Sequence, residues 1–236
     1  MRERQKTKGP RISPEAAIRA ALEVLDEEGL DNVTLRKIAS KIGIQAPTLY
    51  WHFKNKSDLI DDMAEAILKD GGMYDLQPPK DKNAWTEWLT QTAHTLRRAM
   101  LSHRDGGRIV AGASFRSKAM QKLKLTSLQV LHGAGFDHLQ SSLGSETITD
   151  YVWGYVIEEQ ANPTVTSGQS PELSMMRDTT DSSEMMLMDQ TMDEWSKHAP
   201  EELFNWGLQT IISGLKMRLE NERIRDSLNE RHLVSR

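Results

Sequence analysis

Apolar residues recur every three or four positions through the first seventy residues, in four segments separated by glycine and polar turns. The first segment follows Ser13 and Pro14, a cap residue and a proline suited to the first helical position, and it ends at Gly29. Apolar residues at a spacing of three or four are typical of amphipathic helices. The second and third of the four segments are short. The predicted helices cover 14–28, 34–43, 47–52 and a stretch that begins at Asn55 or Ser57 and ends near 70.

The same period continues beyond a boundary that paired glycines and prolines mark at 71–72 and 78–79. From about 162 to 182 the chain is rich in Pro, Ser, Thr and Gly, which is typical of a loop or a disordered segment. We find no strand pattern and expect an all-α fold. Further helices are expected near 84–102, 105–112, 117–133, 145–161, 185–195 and 201–219, and the charged tail after Leu219 can extend the last one.

Composition narrows the class of protein. The chain has 236 residues, 38% of them hydrophobic, and its mean hydropathy is −0.57. No apolar run approaches the 18 or so residues of a membrane-spanning helix, and the N-terminus lacks the apolar region of a secretory signal. There is no cysteine, which excludes disulfides and thiolate chemistry. We expect a cytoplasmic protein with no membrane partner.

Charge is unevenly distributed along the chain. The net charge is −4, but residues 1–60 contain 11 Lys or Arg and 8 Asp or Glu, so this part is positive while the remainder is negative. A basic first part joined to an acidic second part fits a nucleic-acid-binding module attached to another domain, although random variation in surface charge gives the same pattern. Residues 1–12 are basic and unpatterned, and we expect a flexible arm.

Two short helices that meet at Gly43 are typical of a helix-turn-helix motif. Such a unit needs an apolar underside and a polar front, and a glycine at the turn permits a positive φ. The alternative is a pair of packed helices in an ordinary all-α domain, since helical hairpins are common. The underside consists of Leu35, Ile38, Ala39, Ile42 and Leu49.

The polar front of the second short helix has side chains that suit a DNA groove. Gln45 and Thr48 can hydrogen-bond to base edges, and Pro47 can contact thymine methyl groups. Tyr50 and His52 can reach either the DNA backbone or the bases. We therefore predict that this helix reads DNA sequence.

Cationic and hydroxyl side chains flank the same unit. Thr34, Lys54 and Lys56 are placed to contact phosphates on either side of it. Arg36 can reach a guanine or a phosphate. Such contacts fix the position of a protein on the duplex, whereas base contacts specify the sequence.

The residues from Thr34 to Gly43, followed by Pro47-Thr-Leu-Tyr-Trp51-His52 and by Lys54-Asn-Lys56, resemble the TetR family of transcriptional repressors, and within it the tetracycline-responsive members most closely. The resemblance extends over nearly the whole chain and is weakest from 162 to 200. It also adds Trp51 to the predicted DNA-binding residues. Further matching stretches lie at 101–106, 135–136, 158–160 and 204–215.

The resemblance implies a ligand-responsive repressor that binds a palindromic operator as a homodimer. It implies an N-terminal three-helix DNA-binding domain over 13–55, a connecting helix over 56–72 and a ligand-binding and dimerisation domain over 73–236. The two subunits of such a repressor join in a four-helix bundle, formed here by the helices near 145–161 and 201–219. Gly207 and Gly214 leave a smooth patch on the last helix that another helix can approach.

Departures from the pattern of the tetracycline-responsive members are concentrated at the positions that would bind tetracycline. By the resemblance, Val110 replaces a histidine that ligates the drug's magnesium, and valine cannot ligate a metal. Thr92 and Leu96 replace an asparagine and a phenylalanine of the family. Unmatched polar groups are costly to bury, so this pocket disfavours a polar drug chelate.

The remaining pocket positions are mostly apolar. The resemblance places Ala113 and Phe115 in the pocket, and Glu158 alone matches the family's acidic group. We expect a lipophilic or aromatic effector that is bound without a metal or a cofactor. Ala46 stands in place of a base-reading glutamine, so the operator sequence should also differ.

Three other functions remain open from the sequence. The chain could respond to tetracycline with magnesium, act as an activator, or regulate transcription without a small ligand. We do not expect an enzyme. The residues His103-Arg104-Asp105 resemble part of a kinase catalytic loop, but Val110 occupies the position where that loop needs an asparagine. These three residues are better explained as a capping or ion-paired corner.

Overall fold

A computed structural model describes residues 13–113, 117–161 and 182–234, and within these ranges the chain is helical and contains no strand. The all-α prediction is confirmed. Two short 3₁₀ helices, Leu30–Asn32 and Lys82–Ala84, supplement the α-helices. The α-helices are α1 Pro14–Glu28, α2 Leu35–Lys41, α3 Ala46–Leu49, α4 Lys56–Asp70, α5 Trp85–Leu101, α6 Gly106–Gly112, α7 Lys118–Ala134, α8 His138–Ala161, α9 Ser182–Ser196 and α10 Pro200–Val234.

Local sequence signals determine where the helices of the head, residues 13–55, begin and end. The Ser13 side chain accepts a hydrogen bond from the Ala16 backbone N–H, and α1 ends at Gly29 with a φ of 82°. Gly43 has a φ of 70° and makes the turn between α2 and α3. Leu49, at the end of α3, is fully buried. Capping and turn residues therefore predict the starts of α1 and α2 and the turn at Gly43 correctly. The prediction for α3 is wrong at its end, because the helix stops at Leu49 and not at residue 52.

The connecting helix α4 packs against α1 of the head and against α5, α6 and α7 of the body. Its buried side consists of apolar residues at helical spacing, among them Met63 and Ile67, which are fully buried. Glu65 faces α7: its carboxylate accepts hydrogen bonds from the Ser117 hydroxyl at 2.7 Å and from the Ala119 N–H at 3.0 Å. A movement of α4 relative to α7 would have to break these contacts.

The body, residues 73–234, is built around α5, which packs against α4, α6, α7, α8 and α10. α8 and α10 lie side by side, and Gly207 allows their close approach because a Cβ there would lie 2.3 Å from the Tyr151 hydroxyl. A Cβ at Gly214 would meet no atom within 4 Å. The two glycines expected to form one smooth patch thus have different surroundings, since only Gly207 meets a neighbour within the chain.

The structure differs from the sequence expectation at α8, which begins at His138 rather than near 145. Its first two turns bury Ser141, Gly144 and Ser145, small residues that interrupt the apolar period. α10 continues to Val234, as the charged tail allowed. The predicted arm over 1–12, residue Phe115, and residues 162–181 of the loop predicted over about 162–182 lie outside the described residues. Residue 182 begins α9.

Candidate functional site

The predicted base-reading residues occupy exposed positions of the head. Leu49 anchors α3 in the core, while Gln45, Pro47 and Thr48 remain accessible to solvent. Tyr50 is 56% exposed and Trp51 is 89% exposed, and His52 is exposed as well. A contiguous group of exposed aromatic side chains is typical of an interaction surface. The arrangement leaves the polar front of α3 free to enter a groove.

The two helix starts that flank the motif are capped by side chains. The Thr34 hydroxyl accepts a hydrogen bond from the Lys37 N–H at 3.3 Å, and the Asn55 side chain accepts one from the Asp58 N–H at 2.8 Å. Because the Thr34 hydroxyl serves the cap as an acceptor, its hydrogen remains available for a phosphate oxygen. The N-terminal end of α4, which has a partial positive charge, begins at Lys56 and directly follows Lys54 and Asn55.

The five lysines and arginines between Thr34 and Lys56 fall into two groups. Lys37 pairs with Glu28, and Lys41 pairs with Glu27 at 2.7 Å, so both charges are compensated within the head. No ion pair is found for Arg36, Lys54 or Lys56 within the described ranges of the chain. These are the three cations that the sequence assigned to DNA.

A groove on the head brings several predicted DNA-binding residues together. Its walls come from the start of α2, from Tyr50 after α3 and from the start of α4. We call this surface the head groove. It is lined by Val33, Thr34, Leu35, Arg36, Lys37, Tyr50, Asn55, Lys56 and Leu59.

Three of the predicted effector contacts are buried in the body. Thr92 and Leu96 belong to α5 and Val110 to α6, and each is at most 5% exposed. Ala113 is half-buried directly after α6, and Phe115 lies in the undescribed segment that follows. Glu158 differs from the others because it is exposed on α8. The structure thus gathers the apolar positions into the core and leaves the acidic one outside.

Thr92 has a property that its position alone does not explain. Its hydroxyl oxygen is buried and has no hydrogen-bond partner in the described part of the chain. Burying a hydroxyl without a partner is unfavourable by roughly 1–3 kcal/mol. Such a group is a natural donor or acceptor for a bound molecule.

A buried ion pair that sequence reasoning missed lies next to this region. Arg97 of α5 contacts Glu159 of α8 through two hydrogen bonds, 2.6 and 3.0 Å long, and its guanidinium lies 5.2 Å from the centre of the Phe204 ring. Tyr151 and Tyr155 pack on the same ring, and burial raises the pKa of Tyr151 to about 12. The partners are 62 residues apart, so no local pattern could reveal them.

The corner at residues 102–107, which the sequence predicts to be capped or ion-paired, joins the body to the head. Nδ1 of His103 lies 2.9 Å from a carboxylate oxygen of Asp26 in α1, and the Arg104 N–H donates to the other oxygen at 3.0 Å. Asp105, with a φ of 55°, accepts a hydrogen bond from the Leu30 N–H at 2.9 Å. The end of α1 is thus held by three consecutive residues of the corner.

Gln160 ties α8 to the same corner. Its side-chain oxygen accepts a hydrogen bond from the Gly107 N–H at 2.9 Å, and its side-chain nitrogen donates to the His103 carbonyl at 2.8 Å. Gly106 fits closely here, because a Cβ would lie 2.1 Å from the Met100 carbonyl oxygen. A continuous chain of contacts therefore runs from α8 through the corner to α1.

Two further features of the described residues bear on function. Nowhere in these ranges do three or more His, Asp or Glu side chains group in a way that could hold a metal ion. No described helix has the length and apolar character needed to cross a membrane.

Comparison with known families finds two matches. Residues 17–63 match the family described as bacterial regulatory proteins, tetR family. Residues 77–219 match the C-terminal domain described as tetracyclin repressor-like. The second match alone covers more than half of the chain.

Individual relatives agree with these matches over most of their length. The chain is 36% identical over 211 residues to the class C tetracycline repressor protein of Escherichia coli, which covers 89% of this chain and 93% of the relative. Two solved structures share the fold. A possible TetR family regulator from Streptomyces coelicolor A3(2) has a TM-score of 0.75 at 28% identity, covering 86% of this chain and 98% of the other. A TetR variant from Acinetobacter baumannii AYE in complex with minocycline has a TM-score of 0.67 at 30% identity, covering 89% and 99%.

Proposed function

This chain belongs to the TetR family of bacterial regulatory proteins, and we propose that it is a transcriptional repressor that a small effector releases from DNA. It binds a palindromic operator as a homodimer in the cytoplasm. The head, residues 13–55, contacts DNA; the helix over 56–72 connects it to a ligand-binding and dimerisation body over 73–236. The observation that best supports this function is the set of unpaired cations and exposed aromatic side chains around α3.

The exposed side chains in and beside α3 each have a role in this proposal. Gln45 and Thr48 read base edges, and Pro47 contacts thymine methyl groups. Tyr50 contacts the backbone or bases from the wall of the head groove. Trp51 and His52 extend the same exposed surface, which suits the edge of a DNA groove.

Phosphates take up the charge that the head leaves unpaired. Arg36, Lys54 and Lys56 supply the cations, and Thr34 supplies a hydroxyl hydrogen beside them. Because each phosphate contact releases a counterion, operator affinity should fall steeply as salt rises. This salt dependence distinguishes phosphate contacts from the largely salt-insensitive contacts to bases.

We propose a lipophilic or aromatic effector that binds without a metal ion. Leu96, Val110 and Ala113 offer apolar contacts, and Thr92 offers one unsatisfied hydroxyl in the same core. A mostly apolar pocket with a few directed polar groups is the usual form of a small-molecule site. Phe115 would add a further apolar contact, and Glu158 would act only from the rim because it is exposed.

The alternative effector is tetracycline with magnesium. It is favoured by the 36% identity to a tetracycline repressor and by the relative whose structure contains minocycline. The residue at the proposed metal-ligating position opposes it, since the Val110 side chain has no donor atom. Thermal-shift measurements with tetracycline and magnesium, against a panel of apolar compounds, decide between the two. A large stabilisation by tetracycline that EDTA abolishes would refute the metal-free effector.

Release follows from two conformations of the dimer that differ in the spacing of their heads. Two recognition helices must lie about one DNA turn apart to read a palindrome. An effector that binds better to a different spacing shifts the population off DNA. We propose that the contacts of Gln160 and of the corner with α1, together with α4, transmit this change to the head.

In vitro selection of DNA by the full chain tests the function directly. We expect enrichment of one palindromic sequence with half-sites about one turn apart, and competition of that binding by effector. Recovery of no preferred sequence would contradict the proposal. A reporter gene behind the selected operator distinguishes a repressor from an activator by the direction of the response to the effector.

A further inference from the structure

α10 is longer than the domain that the family comparison matches. The match ends at residue 219, whereas the helix continues to Val234. Large apolar side chains remain exposed along it: Trp206, Met217, Ile224 and Leu228 are 75%, 60%, 58% and 51% exposed. Successive spacings of 11, 7 and 4 residues place all four on one side of the helix. This stripe continues past the matched domain without a partner among the described residues.

Contacts at both ends of α10 define its direction relative to the head. Near its start, the Pro200 carbonyl accepts a hydrogen bond from Tyr155, which lies five residues before Gln160 in α8. Gln160 contacts the corner, which in turn contacts α1 of the head. Towards the other end, Arg223 donates to the Ala134 carbonyl at the end of α7. α10 therefore runs away from the head, and residues 224–234 extend beyond the last of these contacts with the body.

The proposed dimer, on which this inference rests, determines how two such helices meet. Both heads must face the same duplex, so the two-fold axis runs from the DNA towards the opposite end of the molecule. α10 runs along that same direction. A two-fold axis along a helix brings its symmetry mate alongside in parallel, not antiparallel, orientation.

The sequence of the stripe fits a parallel coiled-coil seam. Met217 and Ile224 fall at d positions of a heptad, and Asn221 and Leu228 fall at a positions. A single asparagine at an a position specifies register and favours two strands. A seam with only Leu at a and Ile at d positions would favour three or four strands. Here Asn221 and the two-fold axis between the heads both favour a two-stranded coiled coil.

Charges beside the seam complement their symmetry mates. In this register Glu220 occupies a g position and Arg225 the e position of the next heptad. In a parallel pair each g side chain lies next to the e side chain five residues further along the other strand. Glu220 of each chain therefore faces Arg225 of the second chain, and both pairs attract. An antiparallel pairing would not bring these two positions together.

We propose that residues 217–228 pair with the same residues of a second copy, as a short parallel coiled coil at the end of the dimer opposite the DNA. The groove between α8 and α10, lined by Phe136, Leu143, Gly144, Ile211 and Leu215 among others, borders the same face. The tail thereby extends the dimer contact beyond the matched domain. It holds the two bodies together at a point distant from the heads.

Single cysteines test this pairing without background, because the chain contains none. Ile224→Cys and Leu228→Cys lie on the seam, and Lys216→Cys lies on the same exposed helix but off it. A disulfide needs Cβ atoms roughly 4 Å apart. Under mild oxidation we expect a covalent dimer as the main species for both seam variants and little for Lys216→Cys. Absence of cross-linking on the seam, in chains that sedimentation shows to be dimers, would overturn the proposal.

A charge exchange tests the register independently. Glu220→Arg alone and Arg225→Glu alone each create two repulsive pairs in a homodimer, while a mixed dimer of the two variants restores both attractions. After subunit exchange of differently tagged chains, we expect more mixed dimer than the statistical half. A statistical distribution, or a mass of four chains instead of two of 26.8 kDa, would contradict the parallel pair.

DNA selection with the same variants separates this inference from the proposed function. Chains that cross-link through the tail but select no operator would contradict the function and support the pairing. Chains that select a palindromic operator but never cross-link would support the function and contradict the pairing of the tails.

Discussion

The side chain of Gln160 in α8 accepts a hydrogen bond from the backbone N–H of Gly107 at 2.9 Å. Gly107 is buried at the start of α6, and the same amide of Gln160 donates to the His103 carbonyl. The end of a body helix is thereby connected to the corner that holds α1. The proposed effector site beside α6 and the proposed DNA-binding surface of the head share this connection.

Replacing Gln160 should uncouple the two sites. In Gln160→Leu the Gly107 N–H is left buried without its partner, which we expect to lower the free energy of unfolding by about 1–3 kcal/mol. Because the link between α8 and the corner is lost, effector should still bind but should release DNA less completely. Urea unfolding and effector titration of a DNA complex measure the two effects.

Gln129→Leu is the matched control, because it makes the same change at an exposed position of α7. We expect it to leave both measurements within error of the parent chain. Equal release of DNA by effector in Gln160→Leu and in the control would show that the connection does not transmit the signal.

Lys56 should contribute to operator affinity through a phosphate. In Lys56→Ala we expect weaker binding to all sequences and a salt slope that is smaller by about 1. Tyr50→Ala should also weaken binding, since Tyr50 forms part of the head groove. Fluorescence anisotropy with labelled operator at several salt concentrations measures both.

Lys41→Ala provides the comparison, since Lys41 is paired with Glu27. Its removal should leave the salt slope unchanged. If Lys41→Ala and Lys56→Ala reduced the slope alike, or if either Lys56→Ala or Tyr50→Ala lost the dimer, the assignment of the head groove to DNA would be wrong.

Substitution of Thr92 should raise the stability of the free protein but lower its affinity for the effector. Thr92→Val removes an unpartnered buried hydroxyl while preserving shape, so we expect the free protein to become up to about 1 kcal/mol more stable. An effector that hydrogen-bonds to this hydroxyl should bind more weakly. Thermal unfolding with and without effector reports both changes.

Thr95→Val on the same helix is the control, because the Thr95 hydroxyl already accepts a hydrogen bond from Arg98. It should destabilise the free protein slightly and leave effector affinity unchanged. A loss of stability in Thr92→Val as large as in Thr95→Val would mean that the Thr92 hydroxyl has a partner after all.

Glu65 should make stability depend on pH in the acidic range. Burial opposes its ionisation, but hydrogen bonds from Ala119, Tyr74 and Ser117 outweigh burial and lower the pKa of Glu65 below 4.5. A carboxylate with a lowered pKa stabilises the fold above its unfolded pKa, and this contribution disappears as the pH falls through the folded value.

The neutral variant Glu65→Gln should therefore be less stable than the parent at pH 7, and the difference should shrink as the pH falls below 4.5. Urea unfolding at matched protein concentration measures it, since dimer stability depends on concentration. A difference that stays constant from pH 7 to pH 3 would show that the charge of Glu65 makes no contribution.

The sequence predicted those parts of the fold that depend on local chemistry. Ser13, Thr34 and Gly43 specify caps and a turn through their own side chains or backbone freedom, and all three have these roles in the structure. The first turns of α8 were missed because Ser141 and Ser145 are small and polar yet buried. Periodicity detects large apolar residues, not close helix packing.

For the candidate site, the sequence predicted the DNA-facing residues but not the long-range contacts. The residues assigned to DNA are neighbours in sequence, so one motif locates them together. The contacts of Arg97 with Glu159 and of His103 with Asp26 span 62 and 77 residues. Such pairs depend on the tertiary arrangement of three or more helices, and nothing in the sequence near either residue indicates its partner.

Release of operator DNA by an apolar compound in the absence of magnesium is the decisive measurement for a metal-free effector. The selected palindromic duplex is bound to the full chain, and anisotropy is followed as each compound is added with and without EDTA. We predict that at least one lipophilic or aromatic compound releases the DNA and that EDTA has no effect on this release. If only tetracycline together with magnesium released the DNA, and EDTA abolished that release, the metal-free effector would be refuted.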